Sequence, residues 1–242
     1  MTDLPKEITL GGMEFMHIPG GLFEMGDVFG DGDDNEKLVH TVELDTFYLG
    51  KYQVTFDQYD AFCEATGKGK PGDAGWGRGR RPVINVNWED AKAFCEWMSD
   101  ETGEKIRLPT ESEWEYAARE CGKKMKWAGT NEENRLKDYA WFWDNSDHKT
   151  HAVGEKKPIG LGLSDMSGNV WEWCADRYDR DYYKSSLSHN PQGPSIGVVR
   201  VTRGGCLYDS PWFIRCTYRG AFSPDSRSDF GGFRCVRTLK GK

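Results

Sequence analysis

Near its start the chain alternates between apolar and polar positions. Glu14-Phe15-Met16-His17-Ile18 turns at Pro19-Gly20-Gly21 and resumes as Leu22-Phe23-Glu24-Met25-Gly26, a period of two that predicts two strands. His40 to Tyr48 alternates again, with Val42, Leu44 and Phe47 as candidate core positions. The acidic stretch Asp27 to Glu36 between them lacks the ligand spacing of a calcium-binding loop and is expected to be a solvated loop. The period then changes. Thr55 with Gln58 forms a capping box ahead of Phe56, Tyr59, Phe62 and Cys63, and Gly67 supplies a stop. Asn87 caps a second helix carrying Trp88, Ala91, Phe94, Cys95 and Met98, which ends at Gly103. Thr110 with Glu113 opens a third, which leads Trp114, Ala117 and Ala118 toward Gly122. All three read as amphipathic, so their apolar faces must pack on the strands. Beyond Gly122 the periodicity largely disappears, and so much irregular chain needs anchors such as buried tryptophans or metal ions.

Composition narrows this picture. The 242 residues suit one large domain, and 29 glycines with ten tryptophans point to loops held by aromatic side chains. A net charge of −7, with only short and separated basic runs, disfavours nucleic acid as a partner. No run is long and apolar enough for a membrane span. The start, MTDLPKEITLGG, lacks the regions of a signal peptide, so the chain as given is expected in the cytoplasm, or at the surface or exported if a leader has been removed. The seven cysteines form no C-x-x-C, and Cys63 and Cys95 sit at apolar helical positions, where core packing is expected.

Four stretches in order make a specific combination: IPGGLFEMGD; LGKYQVTFDQYDAFC; PVINVNWEDAKAFCEWM with IRLPTESEWEYAAR; and GLGLSDMSGNVWEWCADRY followed by RVTRGG and GGFRCVR. Together they resemble the formylglycine-generating enzyme, or sulfatase-modifying factor, family from about Met13 to Arg237. The resemblance implies an α+β chain with a C-type lectin-like fold, loop-rich, with a small antiparallel sheet and about three helices, over a single domain at 1–242. It also implies a structural calcium ion, held by the carboxylates of Asp165 and Glu172 and the carbonyls of Gly168 and Val170. Those are hard oxygens of the kind calcium takes. The alternative is that Asp165 and Glu172 cap turns and pair with arginines.

Enzymes of this family hold copper with two cysteines that have four residues between them. The ungapped match places Asp209 and Ile214 at those positions, and the nearest cysteines, Cys206 and Cys216, are ten residues apart. Copper is therefore not expected, because a soft metal needs both thiolates. Nor is iron, since the five histidines are scattered and the close pair, His148 and His151, falls in a polar loop read as surface. No G-x-S-x-G, H-E-x-x-H or P-loop pattern occurs.

The segment 203–237 is the distinctive one. Arg203-Gly204-Gly205, Pro211-Trp212, Arg215, Arg219, Pro224-Asp225, Arg227 and Gly232-Phe233-Arg234 read as a frame, with Trp212 and Phe233 assigned to the core. The residues carried between them give it the look of the variable proteins of diversity-generating retroelements, in which a C-terminal cassette is rewritten around fixed positions. The expected ligand-contacting set is Cys206, Leu207, Tyr208, Asp209, Ser210, Phe213, Ile214, Thr217, Tyr218, Gly220, Ala221, Phe222, Ser223 and Phe230. Its partner is expected to be a protein or other macromolecule, since exposed aromatics are low-entropy anchors. A domain with one fixed regulatory partner, or an oxidase, are the alternatives.

Overall fold

The computed structural model describes residues 4–239; the outermost residues of the expected domain, 1–3 and 240–242, lie outside it. Five strands build the first sheet: β1 (Glu7–Leu10), β2 (Met13–Ile18), β5 (Phe47–Gly50), β6 (Ile106–Arg107) and β11 (Val236–Thr238), in the order β1-β2-β5-β11-β6 and all antiparallel. A second sheet runs β10 (Gly231–Gly232), β7 (Trp171–Arg177), β8 (Arg200–Arg203), β9 (Gly220–Phe222), with β10 parallel to β7. The hairpin of β3 (Gly21–Met25) and β4 (His40–Leu44) stands as a third. The expected small sheet is thus three small ones. The alternating run from His40 to Tyr48 does not make one strand either. It breaks at Asp45 and Thr46, so that β4 and β5 join different sheets while Val42, Leu44 and Phe47 all stay buried.

The helices α1 (Phe56–Thr66), α2 (Trp88–Thr102) and α3 (Glu111–Ala118) start where their caps predict, and all three capping boxes are closed in both directions. Gly67 and Gly103 end the first two with φ of 71° and 66°, a left-handed turn that glycine makes without strain. The faces of α1 and α2 enter one core with Phe15, Tyr48, Trp173 and Phe233. Cys63 and Cys95 pack there as expected, with the Cys95 sulfur 3.6 Å from that of Cys235.

Helix α3 departs from the amphipathic expectation, because every residue from Glu111 to Ala118 is buried. Its apolar side joins a second core with Ile18, Phe23, Leu49 and Val201. Its acidic side, Glu111 and Glu115 one turn apart, faces Arg119, Arg203 and Arg219. Buried carboxylates persist when they are paired and hydrogen-bonded. Among the described residues no helix is long and apolar enough to cross a membrane.

Candidate functional site: an aromatic surface on an arginine frame

The irregular C-terminal third is held by four buried arginines. Arg203 pairs with Glu115; Arg219 grips Glu111 at 2.7 and 2.9 Å; Arg234 grips Glu172 at 2.6 and 2.7 Å; and Arg215 grips Glu36 at 2.7 and 2.8 Å. Each planar guanidinium meets its carboxylate with directed, charge-assisted bonds. The last pair corrects the reading of Asp27 to Glu36 as a solvated loop. Glu36 is fully buried, and Asp27 turns inward to accept the N–H groups of Phe29, Gly30 and Gly32. Buried Arg215 needs a counter-charge, and this loop supplies it.

The expected ligand-contacting set divides on this frame. Cys206, Leu207, Ile214 and Thr217 are buried and cannot contact a ligand from solvent. Ile214 packs with Trp127, Leu136 and Phe142, Leu207 is tied by its carbonyl to the Ser146 hydroxyl at 2.8 Å, and the Thr217 hydroxyl donates to Glu36 at 2.7 Å. Tyr208, Asp209, Ser210, Phe213, Tyr218, Gly220, Ala221, Phe222, Ser223 and Phe230 are half-buried or exposed. Trp212, assigned to the core from sequence, is 38% exposed and lies against the Arg215 guanidinium at 4.0 Å, while Phe233 is buried as expected.

The outward aromatics and the buried Trp171 form one connected array. Phe213 meets Tyr218 at 5.1 Å, Tyr218 meets Trp171 at 5.8 Å, Trp171 meets Phe222 at 5.9 Å, and Phe222 meets Phe230 at 6.0 Å. From Phe230 contacts run through Tyr208 and His148 to Trp143, which is 54% exposed. Trp143, His148 and Trp171 had no place in the expected set. They come from other parts of the chain, and the Trp143 N–H donating to the Asp209 carbonyl at 3.0 Å joins the two segments. His148 is exposed as expected, but His151 is half-buried and stacked on Trp141 at 3.7 Å. Burial pushes the Tyr208 and Tyr218 hydroxyls above the usual phenol range, so this face presents neutral phenols. The Tyr208 hydroxyl donates to Asp229 at 3.2 Å.

The loop from Asp165 to Glu172 gathers oxygens around one point. The carbonyls of Asp165, Gly168 and Val170 and Oε1 of Glu172 lie 3.2, 3.3, 3.2 and 3.0 Å from Nε2 of Gln53. Asp165 contributes its carbonyl to this cluster; of its carboxylate, Oδ2 accepts the Gly154 N–H at 2.8 Å and Oδ1 is buried without a partner. An amide nitrogen has two hydrogens for these four acceptors, and Oε1 of Gln53 is buried without a partner. With the amide turned over, a change of assignment and not of shape, its oxygen stands where Nε2 does, 3.0 to 3.3 Å from the other four. That donor set fits a calcium ion. Gln53 had no signal in the sequence.

At the places where the family's copper cysteines stand, Ile214 is in the core and Asp209 accepts the Cys206 N–H at 2.8 Å. Burial raises the thiols of Cys206 and Cys216, the latter to about 12, which disfavours the thiolate a metal needs.

Residues 2–239 match the sulfatase-modifying factor enzyme 1-like domain. The chain belongs to this family. The formylglycine-generating enzyme of Streptomyces coelicolor is 32% identical, over 91% of this chain and 88% of its own length. Among solved structures, Treponema denticola variable protein 1 is 32% identical with a TM-score of 0.82, over 96% of this chain and 98% of that one. PvdO from Pseudomonas aeruginosa is 28% identical with a TM-score of 0.86, over 98% and 100%. The family fold is the C-type lectin-like one expected from the sequence, and the resemblance to a variable protein is borne out. This member of the sulfatase-modifying factor family keeps the fold on its buried Arg–Glu pairs and carries aromatic side chains on the face between them.

Proposed function

We propose that this chain is a non-catalytic ligand-binding protein that displays the face of Tyr208, Phe213, Tyr218, Phe222 and Phe230 to a protein or other macromolecular partner, in the manner of a diversified variable protein. The observation that carries the reading is the separation of roles. The arginines and their glutamates are buried and closed on each other, whereas the aromatic side chains make no ion pair on which the frame depends. Side chains placed that way can change without unmaking the fold, as interface anchors on a rigid scaffold do. Asp209 and Ile214 in the places of the copper cysteines support the non-catalytic part.

The test has two arms. A library randomised at Tyr208, Phe213, Tyr218, Phe222 and Phe230 is expected to stay folded, with melting midpoints lowered by up to about 10 °C because all but Phe213 are half-buried, and to yield binders against an arbitrary test protein. General unfolding of the library would overturn the reading. In the second arm, incubation with Cu(I), oxygen and a thiol-containing peptide is expected to give no aldehyde product; turnover would make the chain an oxidase.

We propose further that calcium binds at the point shared by Asp165, Gly168, Val170, Glu172 and Gln53, pinning the loop beneath Trp171. Calcium at about a hundred times its Kd is expected to add about 2.7 kcal/mol to stability. The gain should be visible as a higher melting midpoint, reversed by chelator and not reproduced by magnesium, which demands a tighter geometry. An unchanged midpoint would leave the loop held by Gln53 and Arg234 alone.

A further inference from the structure

Between β7, β8, β9 and the chain leading into β10 lies a cleft of about 340 Å³. Trp171, Trp173, Phe222 and Phe230 line it, with Phe222 edge-on to both indoles at 90° and 82°. Thr202 of β8 also lines it. This residue is 1% exposed, and its Oγ1 has no hydrogen-bond partner. Gly220, opposite Thr202 in the β8–β9 register, leaves room for this hydroxyl: a Cβ there would stand 2.5 Å from Oγ1 and 2.7 Å from the Trp171 ring. Gly220 is thus a structural position and not, as the expected ligand-contacting set had it, a freely changing one.

A buried hydroxyl with no partner is costly until something reaches it. Ser226, Ser228 and Gly231 also line the cleft, its remaining surfaces are apolar rings, and its one charged lining residue, Arg227, is bound to Asp90. A charged ligand therefore finds no free counter-charge there. Apolar space of about 150 Å³ already holds a benzene ring, so this cleft has room for a substituted one. A hydroxyl on that ring can donate or accept, and so pairs with Thr202 whichever way the threonine hydrogen points.

We propose that this cleft is a binding site for a phenol, with its ring against Trp171, Trp173, Phe222 and Phe230 and its hydroxyl paired with Thr202. The ring comes from a tyrosine side chain of the partner or from a free small phenol, and the inference rests on reading this face as a ligand-binding surface.

The full chain is titrated with p-cresol and with toluene, which differ by the hydroxyl alone, following tryptophan fluorescence and ligand-observed NMR. p-Cresol is expected to bind about five- to tenfold more tightly, the worth of one hydrogen bond to a buried group. Thr202→Val should erase that preference without lowering the melting midpoint, since it replaces an unpartnered hydroxyl by a methyl. Thr202→Ala is the second variant, expected to erase the preference as well but at a lower midpoint, since it also removes a buried methyl, and Gly220→Ala should weaken both ligands. Equal binding of the two ligands, no binding of either, or a preference that survives in the threonine variants overturns the proposal. Competition of p-cresol by a blocked Gly-Tyr-Gly peptide, and not by Gly-Phe-Gly, assigns the ring to a protein partner; p-cresol binding without peptide competition assigns it to a free phenol. If p-cresol fails while the randomised library still yields binders, the cleft reading falls and the display reading stands. If p-cresol binds and the chain also oxidises a thiol peptide, the reverse holds.

Discussion

Arg234→Ala is expected to cost about 3–5 kcal/mol, the loss measured when one partner of a buried ion pair is removed, and to lower the melting midpoint by on the order of 10 °C. Arg234 and Glu172 are both fully buried, and the guanidinium also donates to the carbonyls of Gly50, Ser164 and Asp165 at 3.0, 3.1 and 3.3 Å. Without it, and with no calcium bound, the Glu172 carboxylate keeps the Trp114 and Gln53 donors but loses its counter-charge. The consequence reaches the aromatic face, because Arg234 follows β10 closely and the Phe230 carbonyl accepts the Trp171 N–H at 2.8 Å. Denaturant titration of Arg234→Ala beside the double variant Arg234→Met, Glu172→Met checks the cause. The double variant should recover part of the loss, since it leaves no unpaired charge. A single variant within 1 kcal/mol of the parent would show that this pair does not hold the loops. Lys37→Ala is the control: the exposed pair with Asp34 should contribute nothing measurable.

Asp176→Asn is expected to change how stability depends on pH. Asp176 lies in β7, fully buried, and accepts the Glu111 N–H at 2.8 Å at the start of α3. Burial first, and then the nearby Glu111 charge, push its carboxyl up to about 8. A group whose folded value exceeds its unfolded one holds a proton in the native state that the unfolded chain releases. Its contribution is complete below the unfolded value near 4 and is lost as pH rises through about 8, with a slope approaching 1.4 kcal/mol per pH unit. The asparagine keeps the acceptor and cannot ionise. Urea titrations at pH 5, 7 and 8.5 should therefore show the variant gaining on the parent as pH rises. Parallel profiles would mean that Asp176 is ionised in the native protein.

Much of the local structure was legible in the sequence. The caps at Thr55, Asn87 and Thr110, the stops at Gly67 and Gly103, and the inward positions Val42, Leu44 and Phe47 all depend on neighbours within a turn or a strand. The frame of arginines and glycines was also legible, because the family motifs mark it. What those arginines meet was not. Glu36 lies 179 residues from Arg215 in the chain, and Glu111 lies 108 from Arg219. No local pattern links such pairs, so one glutamate was read with a solvated loop and the other with an amphipathic helix.

The candidate site divides in the same way. The family resemblance marked the segment that carries it, with Tyr208, Phe213, Tyr218, Phe222 and Phe230 of its aromatic face. It did not show that Ile214 fills a core while neighbouring Phe213 stands 38% exposed, or that Trp212 lies outside. A chain without periodicity gives no rule for which way a side chain points. Trp143 and His148 join the face, Gln53 enters the oxygen cluster, and the Thr202 hydroxyl is buried without a partner because tertiary packing brings distant segments together. The sequence by itself determined the caps, the inward positions of the first strands and the family, since those rest on short-range energetics and ordered motifs. Only the tertiary structure decided which residues face solvent and which charges meet, because both depend on the approach of segments far apart in the chain.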